Sequence, residues 1–141
     1  MKEEIAKKWA SALRSGKYDQ GKYHLKIKNL ESKKTTFCCL GVLCELYCEE
    51  HKDVAREEIG SCATLTNGVS SRSKGVNSLI TFDGHDAELP QKVAEWADMK
   101  TSTGVLFDET EYECSLSGLN DCDGKTFGEI ADVIEARFYY L

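Results

Sequence analysis

Four of the seven cysteines lie within the segment FCCLGVLCELYC at residues 37–48. Such thiols can serve as zinc ligands, disulfide partners, nucleophiles or small apolar core residues. A structural zinc site needs four ligands, usually in close pairs. Cys44 and Cys48 have that spacing, but no second Cys or His pair has it, so the sequence predicts neither a metal site nor another cofactor. The odd cysteine count and irregular spacing instead predict free, mainly buried thiols.

A cysteine nucleophile is an alternative hypothesis. Cys38 and Cys39 stand at the predicted start of a helix, where the helix macrodipole and free backbone N–H groups would stabilise a thiolate. The Cys39-Leu-Gly sequence weakly resembles the start of the catalytic helix in papain-like cell-wall peptidases. His85, which follows a predicted strand over residues 79–82, would be the general base. The exposed turn expected around His85 makes a protein without enzymatic activity the favoured interpretation.

The sequence D-C-D-G at residues 121–124 suggests a calcium loop, but its spacing fails. If Gly124 held the invariant sixth position of an EF-hand loop, Leu119 and Ile130 would occupy ligand positions one and twelve, and neither carries a side-chain oxygen. Asn120 and Asp121 therefore more plausibly shape a turn before the last helix. The chain also contains no Gly-rich phosphate loop of the Walker or Rossmann type.

Composition and charge bound the class of protein. The 141 residues, 41% of them hydrophobic and 30% charged, predict one globular domain over residues 1–141. Residues 1–35 contain ten basic and four acidic residues, although the net charge of the whole chain is -6. An acidic chain makes nucleic acid an unexpected partner, whereas its basic first third could attract phosphates locally. Without a secretory signal or a long apolar run, we expect a cytoplasmic protein that does not bind membranes.

The elements that would position these residues follow from hydrophobic periodicity and turn signals. We predict helices over residues 2–15 and 37–52, the second one buried, cysteine-rich and central. Gly41 inside that helix suggests close approach of another backbone or of a ligand. Further helices should begin near Pro90 and at Thr126, where T-F-G-E forms a capping box. The predicted strands cover residues 22–28, pieces of the turn-rich segment 59–88, and residues 104–107 and 113–116. The fold class is therefore α+β, with about four helices on a small, mainly antiparallel sheet.

Four sequence blocks, in this order, resemble a family of small uncharacterised proteins from tailed phages and prophages. They are W-x-x-A-L-x-S-G-x-Y-x-Q at residues 9–20, F-C-C-L-G-V-L-C at 37–44, L-P-x-x-V-x-x-W at 89–96 and L-N-D-x-x-G-K-T-F-x-x-I-A-D-x-I-E at 119–135. The chain departs from the family over residues 59–77. The resemblance implies a phage accessory protein of the host cytosol, and small acidic proteins of that kind often act against host defences.

We therefore predict a counter-defence protein that binds a small anionic, nucleotide-like ligand or immune signal without turning it over. Aromatic rings would stack, basic groups would supply charge, and amide or carboxylate groups would hydrogen-bond a base or ribose. The candidate residues are Tyr18, Gln20, Lys22, Lys26, Phe37, Cys39, Arg72, Asn120 and Asp121. Tyr23 and Trp96 are further candidates for stacking, although tryptophans such as Trp9 and Trp96 more often belong to a core. Alternatives are a protein-binding inhibitor of a host defence factor and the Cys39–His85 hydrolase, and homo-oligomers are possible.

Overall fold

The computed structural model describes residues 1–62, 77–107 and 114–141, with backbone alone at residues 61 and 62. Their architecture is α+β, as the sequence predicts, with five α-helices and a five-stranded sheet. The helices are α1 (Glu3–Arg14), α2 (Cys39–Glu50), α3 (Gln91–Ala97), α4 (Leu116–Asp121) and α5 (Phe127–Arg137). The strands are β1 (Asp19–Gln20), β2 (Lys26–Asn29), β3 (Thr35–Phe37), β4 (Arg56–Cys62) and β5 (Asn77–Phe82). A 3-10 turn, Phe138–Tyr140, follows α5.

The sheet is mainly antiparallel, with strand order β1-β3-β2-β5-β4. Only β1 and β3 pair in parallel, and their register places Gln20 beside Phe37. In the antiparallel part, Ile27 pairs with Thr36 on one side and with Leu79 on the other. The parallel pair holds Gln20 at the edge of the sheet, next to the strand that leads into α2.

Helix α2 is the centre of the fold, and every residue in it except three glutamates is buried. Gly41 allows this burial, since a Cβ atom there would lie 1.7 Å from the carbonyl oxygen of Leu25. The predicted close approach is thus confirmed, and the approaching group is backbone. Helix α1 packs beside α2, with Trp9 fully buried and its indole N–H donating to the carbonyl of Cys39 at 3.0 Å. Trp9 is therefore a core residue.

Two predicted boundaries near α2 were wrong. Helix α2 begins at Cys39, with Cys38 as its N-cap residue, and not at residue 37, because Thr35–Phe37 form β3. The strand predicted from residue 22 begins only at Lys26. Tyr23 has a positive φ of 68° and is 59% exposed, so the alternation of apolar and polar residues there does not reflect strand geometry.

The C-terminal third contains a helix that the sequence pattern did not predict. In place of the strands expected at residues 104–107 and 113–116, the described part of these segments forms a bridge between Val105 and Ser115, and residue 113 lies outside the described residues. Helix α4 follows at once, because the hydroxyl of Ser115 caps it by accepting from the N–H of Gly118 at 3.0 Å. The capping box of α5 at Thr126 is confirmed. None of the helices in the described ranges has the length and apolarity needed to cross a membrane.

Candidate functional site

Gln20 and Asn120 join the edge of the sheet to the end of α4. The side-chain amide of Gln20 donates to the Asn120 side-chain oxygen at 3.0 Å and to the Lys125 carbonyl at 2.7 Å. Its oxygen accepts from the backbone N–H of Phe127, at the first turn of α5, at 2.9 Å. Asn120, fully buried, donates to the Gly21 carbonyl at 2.9 Å. The two amides are thus satisfied by the protein itself and fix three chain segments relative to one another.

Asp121 holds the segment that follows β1. One oxygen of its carboxylate accepts from the backbone N–H of Tyr23 at 2.9 Å and from the amide of Asn120 at 2.7 Å. The ammonium of Lys22 donates to the backbone carbonyl of Asp121 at 3.2 Å. A positive φ is unfavourable for a bulky residue such as Tyr23, so the Asp121 contact helps to hold a strained backbone. The consequence is an aromatic ring presented to solvent directly after a lysine.

A surface cavity of about 280 Å³ lies over this junction. It is lined by Gln20, Gly21, Lys22, Asn120, Gly124, Lys125 and Thr126. Two of these residues carry ammonium groups, and the Lys125 ammonium also bonds Glu129 at 3.0 Å. The carboxylate of Glu129 accepts from the backbone N–H of Thr126 and from Lys125, which lowers its pKa to about 2. The first turn of α5 therefore already carries an anion of the protein. Of the two lysines that line the cavity, Lys125 pairs with a carboxylate, whereas Lys22 bonds only the Asp121 carbonyl among the described residues.

The structure brings together four of the nine predicted ligand residues: Gln20, Lys22, Asn120 and Asp121. Tyr18, Lys26, Phe37 and Cys39 do not line the cavity. Tyr18 and Phe37 are buried and pack edge to face, with ring centroids 5.2 Å apart. Arg72 lies outside the described residues.

Lys26 takes part in an ion-pair network between the sheet and α2. Its ammonium bonds Glu45 at 2.6 Å, with the two side chains only 17% and 13% exposed, and lies 5.2 Å from the centroid of the Phe37 ring. Arg56 approaches the other oxygen of Glu45 at 3.3 Å. The charge predicted to serve a ligand is thus neutralised inside the fold.

Cys39 is fully buried, and its thiol contacts the carbonyl oxygen of Leu116 at 3.4 Å. Burial raises the pKa of this thiol well above its usual value, and the neighbouring Cys38 raises it further. Desolvation thus opposes the thiolate that the helix N-terminus was expected to stabilise. His85 lies in an exposed turn with its ring 4.0 Å from Glu88, and no hydrogen bond in the described structure joins it to Cys39.

Of the other described cysteines, Cys38, Cys44 and Cys48 are buried free thiols, Cys122 is an exposed free thiol, and Cys114 is half-buried. Within the described ranges, no group of three or more His, Cys, Asp or Glu side chains converges in a way that could hold a metal ion.

Sequence reasoning did not identify Gly124, Lys125 and Thr126 as part of the site. The capping box at Thr126 could have indicated part of this site, because it fixes the start of α5 and therefore the position of the loop before it. The complementary signal, contact with Gln20 across more than a hundred positions, is not local and cannot be read from the sequence pattern.

Residues 1–138 match a family model described as Domain of unknown function (DUF8296). No curated protein and no solved structure matches the chain.

Proposed function

The chain belongs to this family of unknown function, and we propose that it binds a small anionic, nucleotide-like ligand without turning it over. The observation that carries the proposal is the exposed Tyr23, whose strained backbone is held by Asp121 and which directly follows the cavity residue Lys22 in the chain. Strain that persists in a fold is a recognised mark of functional positions. In this arrangement an aromatic base would stack on Tyr23 while a phosphate would contact the ammonium groups of Lys22 and Lys125.

The cavity supports a small ligand. Its volume of about 280 Å³ is slightly below the range of roughly 300–1,000 Å³ that is typical of ligand pockets, so it would hold only a small part of a ligand. The side-chain amides of Gln20 and Asn120 form their hydrogen bonds with other groups of the protein, so these two residues hold the cavity wall in place. Specificity would then come from the stacking surface, the two ammonium groups and the backbone around Gly124.

Binding can be tested by native mass spectrometry and thermal shift against adenine, AMP, cyclic mononucleotides and cyclic dinucleotides. We expect AMP or a cyclic nucleotide to raise the melting temperature and adenine alone to have little effect, because it lacks the charge that Lys22 would contact. Tyr23→Ala and Lys22→Gln should each weaken binding about fivefold or more, since stacking and charge-assisted bonds contribute on the order of 1–3 kcal/mol each.

Matched controls are Tyr139→Ala, a tyrosine of similar exposure at 56%, and Lys52→Gln, an exposed lysine away from the cavity lining. Binding that survives both Tyr23→Ala and Lys22→Gln would place the ligand elsewhere, and a panel without any shift would reject the proposal.

The proposal extends to a phage accessory protein that counters host defence in the host cytosol, which rests on the resemblance of the four sequence blocks. Sequestration of a nucleotide-derived immune signal would fit such a role. Expression of the chain in bacteria with a nucleotide-signalled defence should restore phage plaques, and Lys22→Gln should abolish this rescue. If the Lys22→Gln variant restored plaques as well as the unaltered chain did, the counter-defence activity would not depend on the cavity.

A protein-binding inhibitor is the second candidate, favoured by an exposed aromatic surface at the end of the chain. Phe107 and Tyr139 are 49% and 56% exposed, and Lys100 lies 5.6 Å from the Phe107 ring centroid while donating to the Tyr139 and Tyr140 carbonyls. Exposed aromatics are enriched where proteins bind one another. A pull-down from host lysate should return a partner that is lost with the double variant Phe107→Ser and Tyr139→Ser and kept with Tyr23→Ala.

A further inference from the structure

The cavity near Lys22 is lined by positive charge, and none of its lining residues is acidic. Lys22 and Lys125 supply the two ammonium groups. The Lys22 ammonium donates to the backbone carbonyl of Asp121, which leaves its charge in place, and it lies 4.0 Å from where a Cβ atom on Gly124 would stand. An anion that enters the cavity would therefore meet Lys22 beside the loop before α5.

Two carboxylates of the protein lie close to the cavity without lining it. Glu129 bonds the Lys125 ammonium at 3.0 Å and accepts from the backbone N–H of Thr126 at 2.9 Å. Its pKa of about 2 keeps this carboxylate ionised at neutral pH, so it neutralises Lys125. The Asp121 carboxylate accepts from two N–H groups of the protein. Among the described residues, Lys22 is thus the cavity lysine whose charge no carboxylate neutralises.

The charge of a phosphate group decides how well it matches this arrangement. A phosphodiester carries a single negative charge, whereas a phosphomonoester carries about 1.5–2 at neutral pH, because its second pKa is about 6. Lys22 can pair with a single charge. A second charge would lose water without gaining a cation of its own, and it would lie near the carboxylates of Asp121 and Glu129. Unpaired charge and like-charge contacts both weaken binding.

We propose that this cavity selects ligands with a singly charged phosphodiester over ligands with a phosphomonoester or a polyphosphate. Glu129 is a specificity-determining residue, because it holds the ammonium of Lys125 that a doubly charged phosphate would need. The inference rests on the proposed function, since it names the class of ligand for the same cavity.

The test uses the full chain and two matched probes, AMP and the methyl ester of its phosphate. The probes share the base and the ribose and differ in phosphate charge. Isothermal titration calorimetry at pH 7.5 and about 0.1 M salt would give both dissociation constants. We expect the methyl ester to bind at least about threefold more tightly than AMP, a ratio in the range of an exposed ion pair. Cyclic AMP should follow the methyl ester, and ATP should bind more weakly than AMP.

Glu129→Gln should reduce this preference about threefold or more, because it frees the Lys125 charge and therefore favours AMP more than the methyl ester. Glutamine can keep the hydrogen bonds of the capping box. Any change in stability would alter both affinities together and leave their ratio unchanged. Glu135→Gln is the matched control, since Glu135 lies in the same helix, bonds Arg14 at 2.8 Å and does not line the cavity. It should leave the ratio as it is in the unaltered chain.

The outcomes separate this inference from the proposed function. If AMP bound as tightly as its methyl ester or more tightly, and Lys22→Gln weakened both, the selectivity would be refuted while the nucleotide site would stand. A ratio that stayed the same in Glu129→Gln would refute the role of Glu129. If no probe bound to the unaltered chain or to Glu129→Gln, both the selectivity and the proposed function would be rejected.

Discussion

The carbonyl oxygen of Leu25 occupies the position that a side chain on Gly41 would need, only 1.7 Å from where its Cβ atom would stand. Helix α2 therefore packs against the chain before β2 at backbone contact distance. This contact joins the central helix to the sheet, and it leaves no room for a side chain at position 41.

Gly41→Ala should destabilise the protein by about 3 kcal/mol or more, because the added methyl overlaps backbone that cannot rotate away. Helix propensity alone predicts the opposite, a gain of about 1 kcal/mol. Gly128→Ala in α5 is the matched control, since its Cβ would meet only Thr126 at 3.9 Å, and it should be neutral or stabilising. Urea denaturation of both variants measures the difference, and similar free energies of unfolding would contradict the close approach.

Asn120→Ala should lower the free energy of unfolding by about 2–3 kcal/mol, because it removes the side-chain partner of the Gly21 carbonyl and of one N–H of the Gln20 amide. In a double-mutant cycle with Gln20→Ala, the two losses should fall short of additivity by about 1 kcal/mol. Strictly additive losses would show that the two amides act independently.

Glu45→Ala should cost about 3 kcal/mol, since it leaves Lys26 and Arg56 without their shared carboxylate in a mostly buried setting. The comparison is Glu3→Gln, which removes an exposed i,i+4 pair with Lys7 and should cost less than about 0.5 kcal/mol. Chemical denaturation of both variants would test this ranking, and equal costs would mean that burial of the Glu45 network adds nothing.

Stability should fall at acid pH partly through Glu129. The Thr126 backbone N–H, together with Lys125, lowers the pKa of this carboxyl from 4.5 to about 2. Its contribution is therefore fully present above pH 4.5 and is lost as the pH falls toward 2. Glu129→Gln should flatten the acid limb of a stability–pH curve in that window, whereas Glu31→Gln, at another exposed glutamate, should change it less. An unchanged acid limb in Glu129→Gln would contradict this assignment.

Alkylation under native conditions should distinguish the thiols by burial. In a Cys62→Ser background, iodoacetamide should modify the exposed Cys122 first. Cys38 should be protected, because burial raises its pKa to about 12, and Cys39 should be protected for the same reason. Peptide mass spectrometry would identify the labelled site. Rapid modification of Cys39 would revive the hydrolase hypothesis.

Local chemistry accounts for the parts of the fold that the sequence predicted. The periodicity of α1, the apolar run of α2 and the capping box of α5 are each set by neighbours within four positions, so they can be read directly. The strand predicted from residue 22 failed because its alternating pattern is overridden by the contact of Tyr23 with Asp121, almost a hundred positions away. Helix α4 was missed because it is only six residues long and its cap, Ser115, lies within the strand predicted over residues 113–116.

The candidate site divides in the same way. The residue types can be read locally, as a basic segment with Tyr23 and a polar segment before α5. The turn predicted at Asn120 and Asp121 was wrong, because both residues belong to the end of α4. The sequence also indicated, through Gly41, that something must approach α2 closely. In contrast, the contact of Gln20 with Asn120, the ion pair of Lys26 with Glu45 and the burial of Cys39 in the core are seen in the folded chain alone. These outcomes depend on contacts between distant segments, where desolvation and packing outweigh the local preferences that a sequence pattern records.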